Sequence, residues 1–218
     1  MAIVYLVRHG ETTWNRDGRF QGQLDADLSE LGRAQAAQVA ERLATVGLTG
    51  VVASDLRRAT DTGLAVAARA GVTLEREPAF RELSFGAWQG YTRKEIEARF
   101  GDAFAAYLRD PDNARPEGGE SFPQAIERVR AAADRHLAAD RDGRVAWVMH
   151  GGSIRALLTS YLGWPPDRRG LYRLDNASVT LLELRPDTGF VSLHYLNDRS
   201  HLGGSADAPG TSQGGDAF

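Results

Sequence analysis

The chain has 218 residues, which suits a single α/β domain that buries about 70% of the surface its unfolded form exposes. A net charge of −3 gives no reason to expect nucleic acid or an anionic membrane as a partner, and the lack of cysteine excludes disulfides and thiolate metal sites. No apolar run approaches the ~20 residues of a membrane helix, and the N-terminus lacks the features of a signal peptide. We therefore expect a soluble, cytoplasmic protein.

The first predicted element is a short apolar strand over residues 3–7, with the sequence IVYLV. A run of β-prone residues without polar alternation is typical of a strand buried on both faces of a parallel sheet. Arg8 and His9 follow this strand directly. Because ligands in open α/β sheets collect beyond the carboxyl ends of the strands, these two side chains are candidates for a ligand site.

Strands and helices then alternate along the chain. Ser29 is a typical N-cap residue, and Gly47 is a typical residue at a helix C-terminus. The order strand, helix, strand, helix predicts parallel pairing with right-handed crossovers. The elements predicted here are a polar loop over 15–27, a helix over 30–46, a strand over 50–53 and a helix over 55–70.

The middle of the chain is less regular but contains a long amphipathic helix that Ser121 would cap. His136 lies off its apolar stripe and near its end, where we expect a solvated or helix-dipole-paired side chain rather than a catalytic one. The stripe consists of Phe122, Ile126, Val129, Ala133 and Leu137. The other elements predicted here are a strand over 72–76, a loop over 81–90 that contains Glu82, and a helix over 92–108.

The opening pattern returns later in the chain. An apolar run over 145–149 ends in His150 and Gly151, and a helix is predicted to follow over 154–162. Two further strands are predicted over 178–184 and 190–195, separated by a turn.

The end of the chain has a different composition. Residues 203–218 are rich in Gly, Ser, Ala and Asp and nearly devoid of core formers, so we expect a flexible C-terminal tail. The folded domain is then predicted to span residues 1–202.

Three predicted strand ends supply polar groups to one crevice. They carry Arg8 with His9, either Arg57 or Arg58, and His150. Neighbouring residues at a helix start point about 100° apart, so only one of the two arginines is expected to face the site. Two guanidiniums and two imidazoles beside a helix N-terminus make a pocket for a dianion, and phosphate fits it best. The chain has neither a glycine-rich P-loop nor a carboxylate cluster for magnesium, so no metal and no other cofactor is expected.

A phosphoryl-transfer site of this kind needs its own nucleophile and its own acid. Neutral histidine is a competent nucleophile, and nearby arginines disfavour its protonation. Glu82, in a loop of mostly neutral residues, is the candidate for the acid that protonates the departing alkoxide. Burial and the negative substrate are expected to raise the pKa of Glu82 toward the working range.

At these residues the chain resembles the histidine phosphatase superfamily, also called the phosphoglycerate mutase-like family. The run Arg8-His9-Gly10-Glu11-Thr12 is similar to its RHG signature. Later blocks match in the same order, so the resemblance extends over residues 3 to 200. These blocks begin at Asp25 (DADLSELG), Ser54 (SDLRRA), Gly118 (GGES) and His150 (HGGSIR).

The resemblance implies a role for each matching residue. His9 would accept the phosphoryl group, and Glu82 would be the proton donor. The family pattern also decides between the two arginines in favour of Arg58. Arg8, Arg58 and His150 would hold the phosphate, while Thr12, Asn15, Gln21 and Gly151 would bind the substrate as secondary contacts. The implied fold is a three-layer α/β/α sandwich around a mostly parallel sheet, and the family uses no metal.

Within the superfamily the choice lies between a phosphatase and a cofactor-dependent phosphoglycerate mutase. Gln21-Gly22-Gln23 follows Arg19-Phe20 where the mutase branch has Ser or Thr with Gly-Trp. The sequence after Glu82 also differs from the Glu-Arg-His-Tyr-Gly of the mutases, and only residues 109–117 stand in place of the mutase insertion. These differences favour a small phosphatase that hydrolyses a phosphorylated metabolite.

A third hypothesis is a catalytically inactive relative that binds phosphorylated ligands. It is disfavoured because His9, Arg58, Glu82 and His150 are all present. The expected partner is thus a small phosphomonoester substrate, and the oligomeric state stays open, with a dimer possible.

Overall fold

The fold is built on one six-stranded sheet. The computed structural model describes residues 1–110, 112–165, 170–185 and 187–203. The strand order is β3-β2-β4-β1-β5-β6. The first four strands are parallel, β5 runs antiparallel to β1, and β6 pairs antiparallel with β5 as a hairpin. The strands are β1 Ala2–Arg8, β2 Gly50–Ala53, β3 Leu74–Arg76, β4 Arg144–Met149, β5 Val179–Arg185 and β6 Phe190–Asp198.

Helices cover both faces of this sheet. Most of them begin with a side-chain cap; Ser29, for example, accepts a hydrogen bond from the backbone of Gly32. The helices are α1 Thr13–Arg16, α2 Glu30–Leu43, α3 Arg57–Ala70, α4 Arg93–Arg109, α5 Phe122–Ala139 and α6 Gly151–Leu162. Short 3₁₀ turns lie at Pro78–Phe80, Gly86–Trp88 and Ser200–Leu202.

Strand β1 shows why the sheet has two buried faces. Val4 and Leu6 pack into one apolar cluster with α5 and α6, whereas Tyr5 and Val7 pack into another with α2 and α3. Successive side chains of a strand point to opposite faces, so an uninterrupted apolar run requires a helical layer on each side. The predicted three-layer α/β/α sandwich with a mostly parallel sheet is therefore confirmed.

A third apolar cluster fixes the segment that carries Glu82. Trp88 is buried between Phe104 and Tyr107 of α4, with both rings 5.2 Å from it and nearly perpendicular to it. Leu83 and Phe85 belong to the same cluster. This packing holds the connection between β3 and α4 against the ends of α5 and α6.

Several predicted element ends were wrong by two or three residues. Helix α2 ends at Leu43, before the predicted end at Val46, because the chain turns ahead of Gly47 and its φ of +75°. Helix α3 begins at Arg57 rather than Asp55. Helix α6 begins at Gly151, three residues before the predicted start, and so its N-terminus directly follows His150.

Smaller corrections concern the loops and strand ends. The helix α1 overlaps the start of the polar loop predicted over residues 15–27. Strand β3 starts at Leu74 rather than at residue 72, and β6 continues to Asp198 rather than ending at residue 195. Of the two alternatives predicted for His136, the solvated side chain is wrong, because the side chain is only 14% exposed and lies 3.1 Å from the carboxylate of Glu77. His136 does lie in the last turn of α5, as the helix-dipole alternative requires. In the stripe of α5, Ile126 is half-buried while the other four members are buried.

The predicted tail lies outside the described residues except for Gly203, so both the tail and the boundary at residue 202 stay predictions. Among the helices of the described ranges, none combines the length and hydropathy needed to cross a membrane.

Candidate active site

Two histidines meet because they follow neighbouring parallel strands at the same level. Arg8 pairs with Met149 in the β1–β4 ladder, so the next residues along the two strands are His9 and His150. Their ring centroids lie 5.0 Å apart, and both side chains are buried. The structure thus brings together the two imidazoles that the repeated sequence pattern placed at one sheet edge.

The environment of His9 leaves one ring nitrogen free to act as a nucleophile. Its Nδ1 lies 2.7 Å from the carbonyl oxygen of Gly10, which can only accept, so Nδ1 carries the proton and Nε2 carries the lone pair. Burial lowers the pKa of His9 well below its usual value, and the charges of Arg58 and Arg8 lower it further. His9 is therefore neutral at neutral pH.

His150 presents the opposite arrangement of donor and acceptor. Its Nδ1 accepts a hydrogen bond from Nε of Arg58 at 3.2 Å, so in the neutral ring the proton resides on Nε2. That Nε2 is buried and makes no hydrogen bond to the part of the chain that the structure describes. Burial, together with the charge of Arg58, lowers the pKa of His150 well below its usual value. The ring is a neutral N–H donor suited to a phosphoryl oxygen.

Of the two candidate arginines, Arg58 faces the site. Its guanidinium is 1% exposed and donates to the carbonyl oxygens of Gly22 at 2.7 Å and Leu24 at 2.8 Å. Desolvation lowers the pKa of Arg58 to about 10, although the charge of Glu82 opposes this shift. The Arg57 side chain is instead exposed and pairs with Asp27 at 2.9 Å.

A segment ahead of β5 supports the end of β1, and the sequence analysis missed it. Arg8 donates to the carbonyl oxygen of Leu174. The carbonyl oxygen of His9 accepts from the Asn176 side chain at 3.0 Å and from the backbone N–H of Ala177 at 3.1 Å. Ala177 adopts a φ of +55°, a strained conformation for a non-glycine residue, and no pattern in the sequence signals it.

Thr12 orients two amide side chains. Its hydroxyl lies 3.0 Å from Oδ1 of Asn15 and 3.0 Å from Oε1 of Gln21. With both carbonyl oxygens turned toward Thr12, the NH₂ groups of Asn15 and Gln21 are turned away from it. The two amides are lining residues of the cleft, whereas Thr12 lies behind them and is fully buried.

Glu82 caps the N-terminus of α6 in this arrangement. Its carboxylate accepts from the backbone N–H groups of Gly152 at 3.1 Å and Ser153 at 3.2 Å, and from that of Leu83 at 2.8 Å. A carboxylate is favoured at a helix N-terminus by the unpaired N–H groups and the helix dipole. A side chain on Gly152 would overlap this carboxylate, so glycine is required there for the close approach. Glu82 must leave these donors to protonate a leaving group.

These groups surround a small cleft that encloses about 260 Å³, open solvent included. Its cations are Arg8 and Arg58, and it contains one carboxylate. Of the predicted site residues, Thr12, Gly151 and His150 are not among those that line it. The lining residues are Arg8, His9, Asn15, Gln21, Gly22, Arg58, Glu82 and Phe85. The cleft therefore presents the guanidiniums of Arg8 and Arg58 together with the imidazole of His9.

The sequence matches the model of the histidine phosphatase superfamily, branch 1, over residues 4–198. The chain belongs to this family. Among relatives, it is 42% identical over 170 residues to a glucosyl-3-phosphoglycerate phosphatase of Mycolicibacterium vanbaalenii, which covers 74% of this chain and 75% of that one. It is 34% identical over 205 residues to a probable phosphoglycerate mutase GpmB of Erwinia tasmaniensis, and the match covers 93% of this chain and 95% of that one.

Solved structures give the same family. Bacillus stearothermophilus YhfR superposes with a TM-score of 0.86 at 29% identity and covers 93% of this chain and 100% of that one. A mycobacterial glucosyl-3-phosphoglycerate phosphatase in complex with VO₃ superposes with a TM-score of 0.82 at 35% identity, covering 89% and 98%. The predicted superfamily is confirmed, and the phosphatases among these relatives support the predicted activity on a small phosphorylated metabolite.

The first test separates the two neighbouring arginines. Replacing Arg58 with alanine removes a buried cation of the phosphate site, so we expect kcat to fall roughly 10²–10³-fold, as when one transition-state partner is deleted. Arg57→Ala removes only an exposed ion pair and is the matched control, with kcat expected to change less than about twofold. Steady-state kinetics on p-nitrophenyl phosphate measures both. A large loss in Arg57→Ala without one in Arg58→Ala would contradict this assignment.

The second test uses the pH dependence of stability. Below pH 6.5, the usual pKa of histidine, the unfolded chain protonates both buried imidazoles while the folded chain does not. The free energy of unfolding should therefore fall as pH drops from 6.5 to 5.5, by up to about 1.4 kcal/mol per pH unit for each histidine. Urea unfolding of the protein and of His150→Gln measures the slopes. The variant should show the shallower slope; equal slopes would mean that His150 is protonated in the folded protein.

Proposed function

We propose that this protein is a phosphomonoesterase that hydrolyses a small phosphorylated metabolite through a phosphohistidine at His9. The observation that carries the proposal is the combination of a neutral, buried His9 with the guanidiniums of Arg8 and Arg58, all of which line the same cleft. Metal independence stays a prediction within this proposal, and a chelator tests it directly.

The first step is transfer of the phosphoryl group to the enzyme. Nε2 of His9 attacks phosphorus, an N–P bond forms, and the bond from phosphorus to the ester oxygen breaks. Arg8, Arg58 and the Nε2–H of His150 stabilise the charge on the phosphoryl oxygens, because they are already oriented by protein hydrogen bonds. Glu82 gives its proton to the departing alkoxide.

The second step returns the enzyme to its starting state. Water attacks the phosphohistidine, the ionised Glu82 takes a proton from that water, and the N–P bond breaks to release inorganic phosphate. The same carboxyl group thus acts as acid and then as base. The amides of Asn15 and Gln21 are placed to donate to the phosphoryl group in both steps.

The charge around the cleft supports hydrolysis rather than a mutase reaction. A mutase holds a bisphosphorylated intermediate, which requires cations for a second phosphate. Of the described residues that line the cleft, only Arg8 and Arg58 are cations. Two further arginines near Glu82 are already paired, Arg81 with Asp55 and Arg128 with Glu120.

A phosphoglycerate mutase is the second candidate, because a probable phosphoglycerate mutase GpmB is 34% identical over 93% of this chain. The relatives also suggest substrates to screen. Their names include glucosyl-3-phosphoglycerate, α-ribazole-phosphate and phosphoserine phosphatases, and one phosphoserine phosphatase is in complex with 3-phosphoglyceric acid.

The test follows the fate of 3-phosphoglycerate by phosphorus NMR, with 2,3-bisphosphoglycerate and EDTA present. We expect inorganic phosphate to accumulate with little or no 2-phosphoglycerate, because the described residues that line the cleft include no second set of cations to retain a bisphosphate. The four named phosphomonoesters are assayed in parallel for phosphate release.

Rapid formation of 2-phosphoglycerate with almost no free phosphate would establish the mutase instead. Failure to release phosphate from any substrate, p-nitrophenyl phosphate included, would favour an inactive, ligand-binding relative. Activity that EDTA abolishes would contradict the metal-independent chemistry.

A further inference from the structure

The acid of the proposed reaction lies in a loop that needs external support. Glu82 lies between the 3₁₀ turns Pro78–Phe80 and Gly86–Trp88, in residues that belong to no helix or strand. General acid catalysis requires the carboxyl group to be within about 3 Å of the departing oxygen. The backbone around Glu82 must therefore be held in place from outside the loop.

The guanidinium of Arg128, on α5, donates hydrogen bonds to backbone carbonyl groups at and before Glu82. Its Nη1 donates to the carbonyl oxygens of Ala79 at 2.7 Å and Arg81 at 3.0 Å, and its Nη2 lies 3.5 Å from that of Glu82. The side chain is only 24% exposed. One guanidinium thus contacts the backbone immediately before the proposed acid and at the acid itself.

Glu120 contacts the backbone on the C-terminal side of Glu82. Its carboxylate accepts from Arg128 at two positions, 2.5 Å from Nη2 and 3.1 Å from Nε, and also from the backbone N–H of Ser84 at 2.9 Å. The backbone N–H of Glu120 donates to the carbonyl oxygen of Ser84 at 3.0 Å. Arg128 and Glu120 therefore form a clamp that contacts the backbone on both sides of Glu82.

The ion pair of Arg128 and Glu120 is of a kind that holds a backbone segment in one geometry. Bidentate arginine–carboxylate pairs combine charge with a fixed planar geometry. These two side chains also satisfy three backbone polar groups, on Ala79, Arg81 and Ser84. Lysine could supply the charge but not the fork of donors. All three of these backbone groups lie within three residues of Glu82 and none lies on α5 itself.

We propose that Arg128, acting with Glu120, is a positioning residue that sets the reach of the Glu82 carboxyl group to the leaving-group oxygen. This inference rests on the proposed function, in which Glu82 protonates the alkoxide. It makes a distinctive prediction, because loss of positioning harms only substrates that need protonation. An alkyl phosphate needs it, whereas p-nitrophenolate leaves with little help.

The experiment compares Arg128→Gln with Glu82→Gln on 3-phosphoglycerate and p-nitrophenyl phosphate, or on the best alkyl phosphate from the screen. General acids contribute about 10²–10⁴-fold, so we expect Arg128→Gln to lower kcat on the alkyl phosphate roughly 10–100-fold, with KM little changed. On p-nitrophenyl phosphate its kcat should stay within about twofold. Adding Arg128→Gln to Glu82→Gln should cause no further selective loss.

Arg130→Gln is the matched control. Arg130 lies on the same helix and is also ion-paired, with Asp134 at 2.8 Å, but its hydrogen bonds go to Asp134 and Ser160 rather than to the loop. Its kcat on both substrates should be unchanged. If Arg128→Gln does not fold, as judged by thermal unfolding, Arg128→Lys replaces it, with a smaller loss of the same selectivity expected.

The outcomes separate the two proposals. Equal losses on both substrates in the folded Arg128 variant, or no loss on either, would overturn the positioning role while a selective loss in Glu82→Gln leaves the acid intact. Equal losses in Glu82→Gln would overturn the acid itself, and the positioning role with it.

Discussion

The site depends on keeping two imidazoles neutral beside a buried guanidinium. Arg58 is almost fully buried and lies 3.2 Å from Nδ1 of His150, and the His9 ring lies 5.0 Å from that of His150. Protonating either ring would place another cation in a low-dielectric site, so burial and charge together lower the pKa of both histidines. Neutral His9 can then act as the nucleophile, and neutral His150 can act as an N–H donor.

This constraint explains why distant parts of the chain converge on the cleft. Carbonyl oxygens from residues 10, 22, 24 and 174 accept hydrogen bonds from the histidine and arginine side chains and so fix their orientation. None of these acceptors carries a full negative charge that would neutralise the cations. The guanidiniums of Arg8 and Arg58 line the cleft together with one carboxylate, that of Glu82, which caps the N-terminus of α6.

The sequence predicted the sheet and most of the site because these depend on local patterns. The apolar runs at β1 and β4 are continuous, and both end in histidine, so their neighbouring positions follow from parallel pairing. The clamp formed by Arg128 and Glu120 could not be predicted, because it is a tertiary contact between a helix and an irregular segment. The positive φ of Ala177 could not be predicted either, because alanine normally avoids that conformation and nothing in the sequence marks the position. The start of α6 was placed too late because Gly151 and Gly152 resemble loop residues, although their lack of side chains admits Glu82.

The central claim is that His9 carries the phosphoryl group, and rapid-quench trapping tests it most directly. Enzyme mixed with an excess of ³²P-labelled substrate is quenched in alkali within milliseconds and analysed for protein-bound phosphate. Our account predicts a phosphoenzyme that is stable in base and labile in acid, that maps to the peptide containing His9, and that is absent from His9→Ala. A phosphoenzyme that persists in His9→Ala, or one that is stable in acid as a phosphoserine or phosphothreonine would be, would contradict it.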